Sequence, residues 1–267
     1  MVTRQRDVYN HFSQIALSYR DIRTTDLQPI QFIRERLKDL RTIRAADIGC
    51  GAGRYNLLLF EHLNNLHLTC IDINESMLRE ASAYLKGNGM QRFITVKANA
   101  FDLPVKANMM DCVFTFNAIH HFDVLRFVEK AAVITKEDGF IFIYTRLRSQ
   151  NARNIWGRHF PLFLEKEERL YELNDITEAV DSTRWSRIES IKKFYFRRKA
   201  TLDQLLNKVR KRHYSTFSLY DDHELEDCLR KFKKKIVHHF TDPEQIEWFD
   251  ENIMIVLRLG SKTGLLS

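Results

Sequence analysis

Hydrophobic and polar residues alternate in blocks along this chain, with two different periods. Short, nearly continuous apolar runs are typical of parallel strands that are covered on both faces. Between them, apolar residues recur at helical spacing, as in the leucine-rich run from Leu57 to Leu63. Strands that alternate with helices over about 100 residues predict a doubly wound, mostly parallel sheet. The predicted strands are a short run ending at Ile48, then residues 66–73, 92–97, 110–121, 140–145, 188–196 and 253–259, and further predicted helices are residues 123–135, 202–209 and 224–240.

Helical spacing also appears before the first strand. One predicted helix carries aromatic residues up to Tyr19, and a second follows Pro29. Residues 146–186 have a weaker pattern with scattered aromatic side chains, and we interpret part of this segment as a lid that shapes a pocket at the sheet edge. The predicted organisation is N-terminal helices in residues 1–40, a sheet core in 41–148, a lid or insertion in 149–187, and the rest of the sheet with basic helices in 188–267.

The composition is that of an ordinary soluble globular protein. Hydrophobic residues make up 44% of the 267 residues and charged residues 29%. No apolar run approaches the ~20 residues needed to span a bilayer, and the N-terminus lacks the apolar core of a secretory signal. The cysteines have no short spacing typical of a zinc or redox site. We therefore expect a cytoplasmic protein whose cysteines are reduced, namely Cys50, Cys70, Cys112 and Cys228.

The formal net charge of +7 is concentrated in one segment. Residues 187–240 contain 15 Lys and Arg against 7 Asp and Glu, so this segment alone carries a net charge of +8. Such a segment could bind the phosphate backbone of a nucleic acid. The alternative is a solvated helical face, since acids such as Glu224 and Glu226 lie among the basic residues. The basic residues are Arg197, Arg198, Lys199, Lys208, Arg210, Lys211, Arg212, Lys233, Lys234 and Lys235, among others.

A glycine-rich loop follows the first predicted strand directly. Gly49, Gly51 and Gly53 alternate with other residues, and Asp47 lies two positions before the first of them. Glycine permits a positive φ and lets a ligand approach the backbone closely. The dinucleotide fingerprint is Gly-x-Gly-x-x-Gly, whereas this loop is Gly-x-Gly-x-Gly. The spacing therefore disfavours an NAD-dependent dehydrogenase.

The loop instead resembles a motif of another nucleotide-binding family. The string Asp-Ile-Gly-Cys-Gly-Ala-Gly, residues 47–53, resembles the first motif of class I S-adenosylmethionine-dependent methyltransferases. Asp72 ends the second strand about 20 residues further on, and a carboxylate there can accept hydrogen bonds from both hydroxyls of a ribose. In the family this acid belongs to the second motif. Residues 98–104 resemble a third segment, with Asn99 in place of the usual acid.

The resemblance implies a Rossmann-like α/β fold with a seven-stranded, doubly wound sheet whose last strand is antiparallel. It also implies that N-terminal helices cover the cofactor, because Tyr9, Phe12, Ala16, Tyr19 and Arg20 resemble the family's N-terminal segment. Met77 has a counterpart near the adenine in relatives, although a core role for this methionine is an equal alternative. The expected residues that bind S-adenosylmethionine are Tyr19, Asp47, Gly49, Gly51, Gly53, Asp72, Ile73, Met77, Asn99, Ala100, Phe101 and Asn117.

Two histidines follow the strand that carries Asn117. Methyl transfer needs mainly the alignment of donor and acceptor, and a base is required only when the acceptor must lose a proton. His120 and His121 are the candidate bases, with hydrogen-bonded structural roles as the alternative. We expect no metal site, because His238 and His239 are adjacent and no third ligand lies at a recognisable spacing.

We therefore expect an S-adenosylmethionine-dependent methyltransferase that acts on an unidentified small molecule. One alternative is an RNA methyltransferase, for example one acting on tRNA, that uses the basic C-terminal region. Another is a partner protein that binds the cofactor without transferring a methyl group. The expected partners are accordingly a small-molecule acceptor or a nucleic acid, with no membrane span.

Overall fold

The protein is described by a computed structural model that covers residues 2–260, with side chains described from Tyr9 onward. Residues 1 and 261–267, at the ends of two of the predicted domains, lie outside the described part. Seven strands are present in this part of the chain. They are β1 Ile43–Ile48, β2 Leu66–Asp72, β3 Phe93–Lys97, β4 Met110–Phe116, β5 Thr135–Thr145, β6 Ser186–Ala200 and β7 Ile246–Leu259.

The strands form one sheet in the order β3-β2-β1-β4-β5-β7-β6. The pairs β1–β2, β2–β3, β1–β4 and β4–β5 are parallel, whereas β7 runs antiparallel to β5, with Ile253 opposite Thr145. The chain order reverses between β1 and β4, so the sheet is doubly wound. This architecture confirms the predicted fold class, including the antiparallel insertion of the last strand.

Helices connect most of the strands, and polar side chains cap several of them. Asn74, Asp123, Thr201 and Asp221 each accept a hydrogen bond from a backbone amide in the first turn, which satisfies a donor that the helix itself cannot pair. The helices are α1 Val2–Ile15, α2 Tyr19–Ile22, α3 Gln28–Leu37, α4 Arg54–His62, α5 Glu75–Gly87, α6 Val124–Ile134, α7 Arg148–Arg153, α8 Ile155–His159, α9 Phe163–Lys166, α10 Leu173–Asp181, α11 Leu202–Arg210 and α12 Asp222–His239.

The chain divides into two compact units. The sheet unit comprises residues 25–145, 171–194 and, in the described part, 253–260. The helical unit comprises residues 2–24, 146–170 and 195–252. Strands β6 and β7 contribute residues to both. In the sheet unit, the rings of Tyr55 and Phe116 stack with their centroids 4.4 Å apart, and Tyr144 meets Tyr55 edge-on at 5.8 Å.

The helical unit has its own aromatic core. Trp156 stacks on Phe232 with ring centroids 5.3 Å apart, and Phe160 lies 5.0 Å from Phe217. Phe163 is also buried in this cluster. Three of the aromatic residues in the segment interpreted as a lid therefore form a core that stabilises the helical unit.

Several predicted element boundaries were wrong. The fourth strand ends at Phe116, and residues 119–121 form a 3₁₀ turn. The fifth strand begins at Thr135, which pairs with Met110 before a bulge in which Asp138 has a φ of 57°. Strands β6 and β7 are also longer than the predicted segments 188–196 and 253–259. Hydrogen bonds to a neighbouring strand can continue past an apolar run, because backbone pairing does not require alternating apolar residues at a strand end. The weakly patterned segment 146–186 contains four helices, α7 to α10.

Candidate active site

The loop after β1 is a backbone turn that ordinary side chains would strain. Gly49, Gly51 and Gly53 have φ angles of 76°, 54° and 79°, a region that costs L-residues roughly 1–2 kcal/mol each. The amides of Gly49 and Cys50 donate hydrogen bonds of 2.8 and 3.1 Å to the carbonyl of Ile71 on β2. The alternating glycines therefore let the chain reverse tightly at the carboxyl ends of β1 and β2.

Two of these glycines also touch neighbouring elements. A Cβ added to Gly49 would lie 2.6 Å from the Cβ of Ala118 and 3.1 Å from the Cζ of Phe122. A Cβ added to Gly53 would lie 3.2 Å from the Cα of Ala81. The first contact is too short for any real pair of carbon atoms, so position 49 has no space for a side chain without movement of its neighbours.

Asp72 connects the glycine loop to the start of α5. Its Oδ2 accepts a 2.9 Å hydrogen bond from the Gly51 amide, and its Oδ1 accepts a 2.8 Å bond from the Asn74 amide. Burial raises the pKa of Asp72, and these backbone donors oppose that rise. Each carboxylate oxygen has a second lone pair. The carboxylate can thus order the loop and still accept a hydrogen bond from a ligand.

Asp47 lies beneath the loop and is only 1% exposed. The Asn56 amide donates a 2.5 Å hydrogen bond to its Oδ2, whereas its Oδ1 is buried without a hydrogen-bond partner. The pKa of Asp47 is raised to about 7. Burial is the largest cause of the rise, the Asn56 hydrogen bond opposes it, and the charge of Asp72 adds to it. Asp47 therefore changes its charge near neutral pH.

The residues after β2 and β3 present both apolar and polar groups. Ile73 is 52% exposed beside Asp72, whereas Met77 is 2% exposed on α5, which favours the core role for the methionine. The Asn99 side chain accepts a 3.0 Å hydrogen bond from the Phe101 amide. The guanidinium carbon of Arg126 lies 4.3 Å from the centre of the Phe101 ring. Ala100, between Asn99 and Phe101, is buried.

The residues after β4 form a compact turn. Asn117 has a φ of 54°, and its amide donates a 2.7 Å hydrogen bond to the carbonyl of Tyr144 on β5. His120 and His121 follow in a 3₁₀ turn, and the centres of their rings are 4.1 Å apart. Both imidazoles are half-buried. Either imidazole could exchange a proton with a substrate that binds against this turn.

Comparison with known proteins assigns a family to this part of the chain. Residues 46–143 match a family model described as a methyltransferase domain. This match assigns residues 46–143 to a methyltransferase domain. Geranyl diphosphate methyltransferase, one of the solved structures that resemble this chain, contains S-adenosylmethionine in one crystal structure and S-adenosylhomocysteine in another. A search of curated proteins finds no significant sequence match to the chain.

Solved structures resemble the methyltransferase domain and the elements around it. BH2331 from Bacillus halodurans C-125, a protein assigned as a methyltransferase, has a TM-score of 0.64 at 16% identity, with 89% of this chain and 100% of that chain covered. The cyclase SpnF has a TM-score of 0.60 at 14% identity, with coverages of 88% and 80%. Geranyl diphosphate C-methyltransferase from Streptomyces coelicolor A3(2) has a TM-score of 0.54 at 10% identity, with coverages of 86% and 77%. At these identities the likeness is one of fold.

The methyltransferase domain brings most of the predicted site residues to one edge of the sheet. The residues after β1, β2, β3 and β4 all lie at carboxyl ends of parallel strands, where open α/β sheets bind ligands. Tyr19 lies in the helical unit, where its ring is 6.1 Å from that of Phe12. Its predicted contact with the cofactor stays a prediction.

Two polar side chains that donate hydrogen bonds near the glycine loop were not predicted from the sequence. Asn56 supplies the hydrogen bond to Asp47, and its sequence signal was a polar side chain within the apolar run of α4. Tyr171 donates a 2.7 Å hydrogen bond from its hydroxyl to the carbonyl of Phe122, which packs near Gly49. No local signal indicated Tyr171, because 49 residues separate it from its acceptor.

Residues 2–260 contain neither a metal-binding cluster nor a membrane-spanning helix. No three His, Cys, Asp or Glu side chains within these residues come together closely enough to hold a metal ion. None of the helices in the same range has the length and apolar content that crossing a membrane requires.

Proposed function

We propose that this protein transfers the methyl group of S-adenosylmethionine to a small-molecule acceptor at the carboxyl edge of its sheet. The observation that carries the proposal is the Asp72 carboxylate, which accepts hydrogen bonds from Gly51 and Asn74 and so couples the glycine loop to the next strand. A loop ordered in this way needs no rearrangement before it binds a ligand, which reduces the entropic cost of binding.

The structure of the loop fits the cofactor. Gly49 leaves no side chain between the loop and the turn at Ala118, and Asp72 has lone pairs available for ribose hydroxyls. Ile73 offers exposed apolar surface beside Asp72 for the adenine ring. We assign cofactor binding to Asp47, Gly49, Gly51, Gly53, Asp72, Ile73, Asn99, Ala100, Phe101 and Asn117, with Met77 as packing behind them.

Asp47 acts through its charge in this proposal. Its oxygens are buried beneath the loop, so a ligand does not need to contact them directly. A positively charged ligand above the loop favours the ionised carboxylate and lowers the pKa of Asp47 below its value of about 7 in the ligand-free protein. S-adenosylmethionine supplies the electrophilic methyl group and carries positive charge on its sulfonium and ammonium groups.

A proton acceptor lies at the same sheet edge. His120 and His121 are candidates to receive a proton from a hydroxyl, carbon acid or protonated amine. We expect His120→Asn or His121→Asn to lower kcat while the dissociation constant of S-adenosylhomocysteine stays within about twofold. General-base contributions are about 10²–10⁴-fold, and a much smaller loss in both variants would assign these histidines a structural role.

The basic segment gives less support to a nucleic-acid acceptor. Arg197 pairs with Glu247 at 2.6 Å, and Arg198 pairs with Asp250 at 3.1 Å. Arginine side chains that are already paired with carboxylates contribute less to the affinity for a phosphate backbone. Two structural neighbours, geranyl diphosphate C-methyltransferase and a sarcosine dimethylglycine methyltransferase, are named for small-molecule acceptors. These observations favour a small molecule for this chain.

A methyl-acceptor screen tests the proposal. Full-length protein is incubated with cofactor labelled in the methyl group and with cell extract separated into RNA, protein and small-molecule fractions. We expect label to enter the small-molecule fraction, and Asp72→Asn to abolish this transfer. Label in RNA would replace the proposed acceptor class. Tight binding of S-adenosylhomocysteine by calorimetry without transfer into any fraction would indicate a cofactor-binding protein instead of an enzyme.

A further inference from the structure

The helical unit surrounds a buried imidazole with arginine side chains. His11, on α1, is 5% exposed, and its Nε2 has no hydrogen-bond partner. Leaving a buried polar atom unsatisfied costs roughly 1–3 kcal/mol, so such an atom in a folded protein calls for a ligand or a bound water. The helix that carries His11 packs on the 3₁₀ segment Ser215–Leu219 within this unit.

A second donor without a partner comes from Arg169. Its Nε and Nη2 donate to the buried carboxylate of Glu167 at 2.8 and 2.5 Å, and Nη2 also donates to the Ser215 hydroxyl at 3.1 Å. The Thr216 hydroxyl donates to the same carboxylate at 2.5 Å. These contacts fix the guanidinium rigidly. Its third nitrogen, Nη1, is buried and has no hydrogen-bond partner.

Two further arginines raise the positive potential at His11. Arg212 donates to the carbonyl of Tyr220 at 3.0 Å and to the fully exposed Asp222 at 2.7 Å. The guanidinium carbon of Arg23 lies 4.7 Å from the centre of the Tyr214 ring. Burial, followed by the charges of Arg23, Arg212 and Arg169, lowers the pKa of His11 to about 4. The imidazole is therefore neutral at pH 7, and one of its nitrogens carries a hydrogen.

We propose that His11 and Arg169, with Arg23 and Arg212 around them, form a binding site for the carboxylate or phosphate group of a small molecule. An oxyanion accepts hydrogen bonds and carries negative charge. It therefore pairs with Nη1 of Arg169 and with the His11 tautomer whose hydrogen is on Nε2, and it offsets the surrounding positive charge. A water molecule would satisfy the donors without offsetting the charge. The site lies entirely within the helical unit and does not depend on methyl transfer.

Calorimetry at low salt on the full-length protein tests the site. The probes are inorganic phosphate, benzoate, and benzamide as the neutral analogue of benzoate. We expect phosphate or benzoate to bind the wild-type protein, and benzamide to bind at least tenfold more weakly than benzoate. His11→Phe removes one donor and keeps a planar ring. We expect it to weaken anion binding by about three- to tenfold, the range of one neutral hydrogen bond.

A matched control separates this site from general surface charge. Arg230 is an exposed arginine of the same unit that pairs with Asp227, so Arg230→Gln should leave anion binding unchanged. If His11→Phe fails to fold, as judged by circular dichroism, Arg169→Lys provides the second variant. It keeps the charge but loses the planar fork, and we expect it to weaken anion binding by about tenfold.

Three outcomes would overturn the site. The first is that neither anion binds the wild-type protein, and the second is that benzamide binds as well as benzoate. The third is that Arg230→Gln weakens anion binding as much as the folded test variant does. Binding of phosphate alone would identify a phosphate-bearing ligand, and binding of benzoate alone a carboxylate, within the proposed chemistry. S-adenosylhomocysteine binding by the same variants is measured in parallel, because its loss would report on the cofactor site and not on this one.

Discussion

The side-chain amide of Asn56 donates a 2.5 Å hydrogen bond to the carboxylate of Asp47. Both side chains are buried, at 0% and 1% exposure. A single neutral donor cannot replace the water that an ionised carboxylate loses on burial. The contact therefore leaves Asp47 poised between its two protonation states near neutral pH.

Asp47→Asn should stabilise the protein in a pH-dependent way. The pKa of Asp47 is about 7 in the folded protein against 3.8 in the unfolded chain, so its ionisation lowers the free energy of unfolding as the pH rises from about 4 to 7. At 1.36 kcal/mol per unit, this amounts to about 4 kcal/mol above pH 7. Asparagine keeps the acceptor for Asn56 and does not ionise. Urea unfolding of both proteins at pH 5 and pH 8 measures the difference.

The stability gain of Asp47→Asn should be larger at pH 8 than at pH 5. A constant difference between the two proteins across this range would contradict the raised pKa. The same variant should bind S-adenosylhomocysteine more weakly at pH 8, where the wild-type carboxylate is ionised, because the ligand's ammonium group loses a nearby negative charge.

Gly49→Ala should destabilise the protein more than Gly89→Ala does. Both glycines have nearly the same φ, 76° and 77°, so both substitutions introduce similar backbone strain of about 1–2 kcal/mol. Only position 49 adds a clash, with the Cβ of Ala118 at 2.6 Å, whereas nothing lies within 4 Å at position 89. Overpacking adds about 1–3 kcal/mol. Equal losses in urea unfolding would show that the neighbours of Gly49 move freely.

Asp72→Asn should weaken the binding of S-adenosylhomocysteine by about 10- to 100-fold. The variant loses the charge of the acceptor and one of the two oxygens that hold the Gly51 and Asn74 amides, and a hydrogen bond to a charged group is worth about 1.5–3 kcal/mol. Asp102→Asn is the control, since Asp102 is an exposed acid near Asn99. Calorimetry compares the three proteins. Unchanged affinity in Asp72→Asn would remove this residue from the site.

Replacing Lys233, Lys234 and Lys235 together by glutamine should leave methyl transfer unchanged. All three side chains are exposed on α12, and a small-molecule acceptor does not require them. An RNA acceptor would behave differently, because the loss of three phosphate contacts lowers the slope of log affinity against log salt by about 2. Filter binding of RNA at several salt concentrations, together with the transfer assay, separates the two acceptor classes.

The parts of the site that lie close together in the sequence could be predicted from it. The glycine spacing and Asp47 marked the loop. Asp72 followed from the end of an apolar run, and Asn99 from the resemblance of residues 98–104 to the third segment of the family. Local sequence determines these features, since a strand end and a tight turn each need particular residue types. No comparable local pattern indicates which residues would bind the methyl acceptor. The aromatic residues of segment 146–186 were interpreted as a lid, but Trp156, Phe160 and Phe163 belong to a hydrophobic core.

The sequence by itself determined the doubly wound sheet, the family of residues 46–143 and the side chains at its carboxyl edge, because hydrophobic period and turn chemistry are local properties. Only the tertiary structure decided which polar atoms lack partners. Asn56 meets Asp47 across a turn, and His11 and Arg169 reach one unit from segments more than 150 residues apart in the chain. Burial and charge at those positions depend on packing between distant segments, which no local pattern specifies.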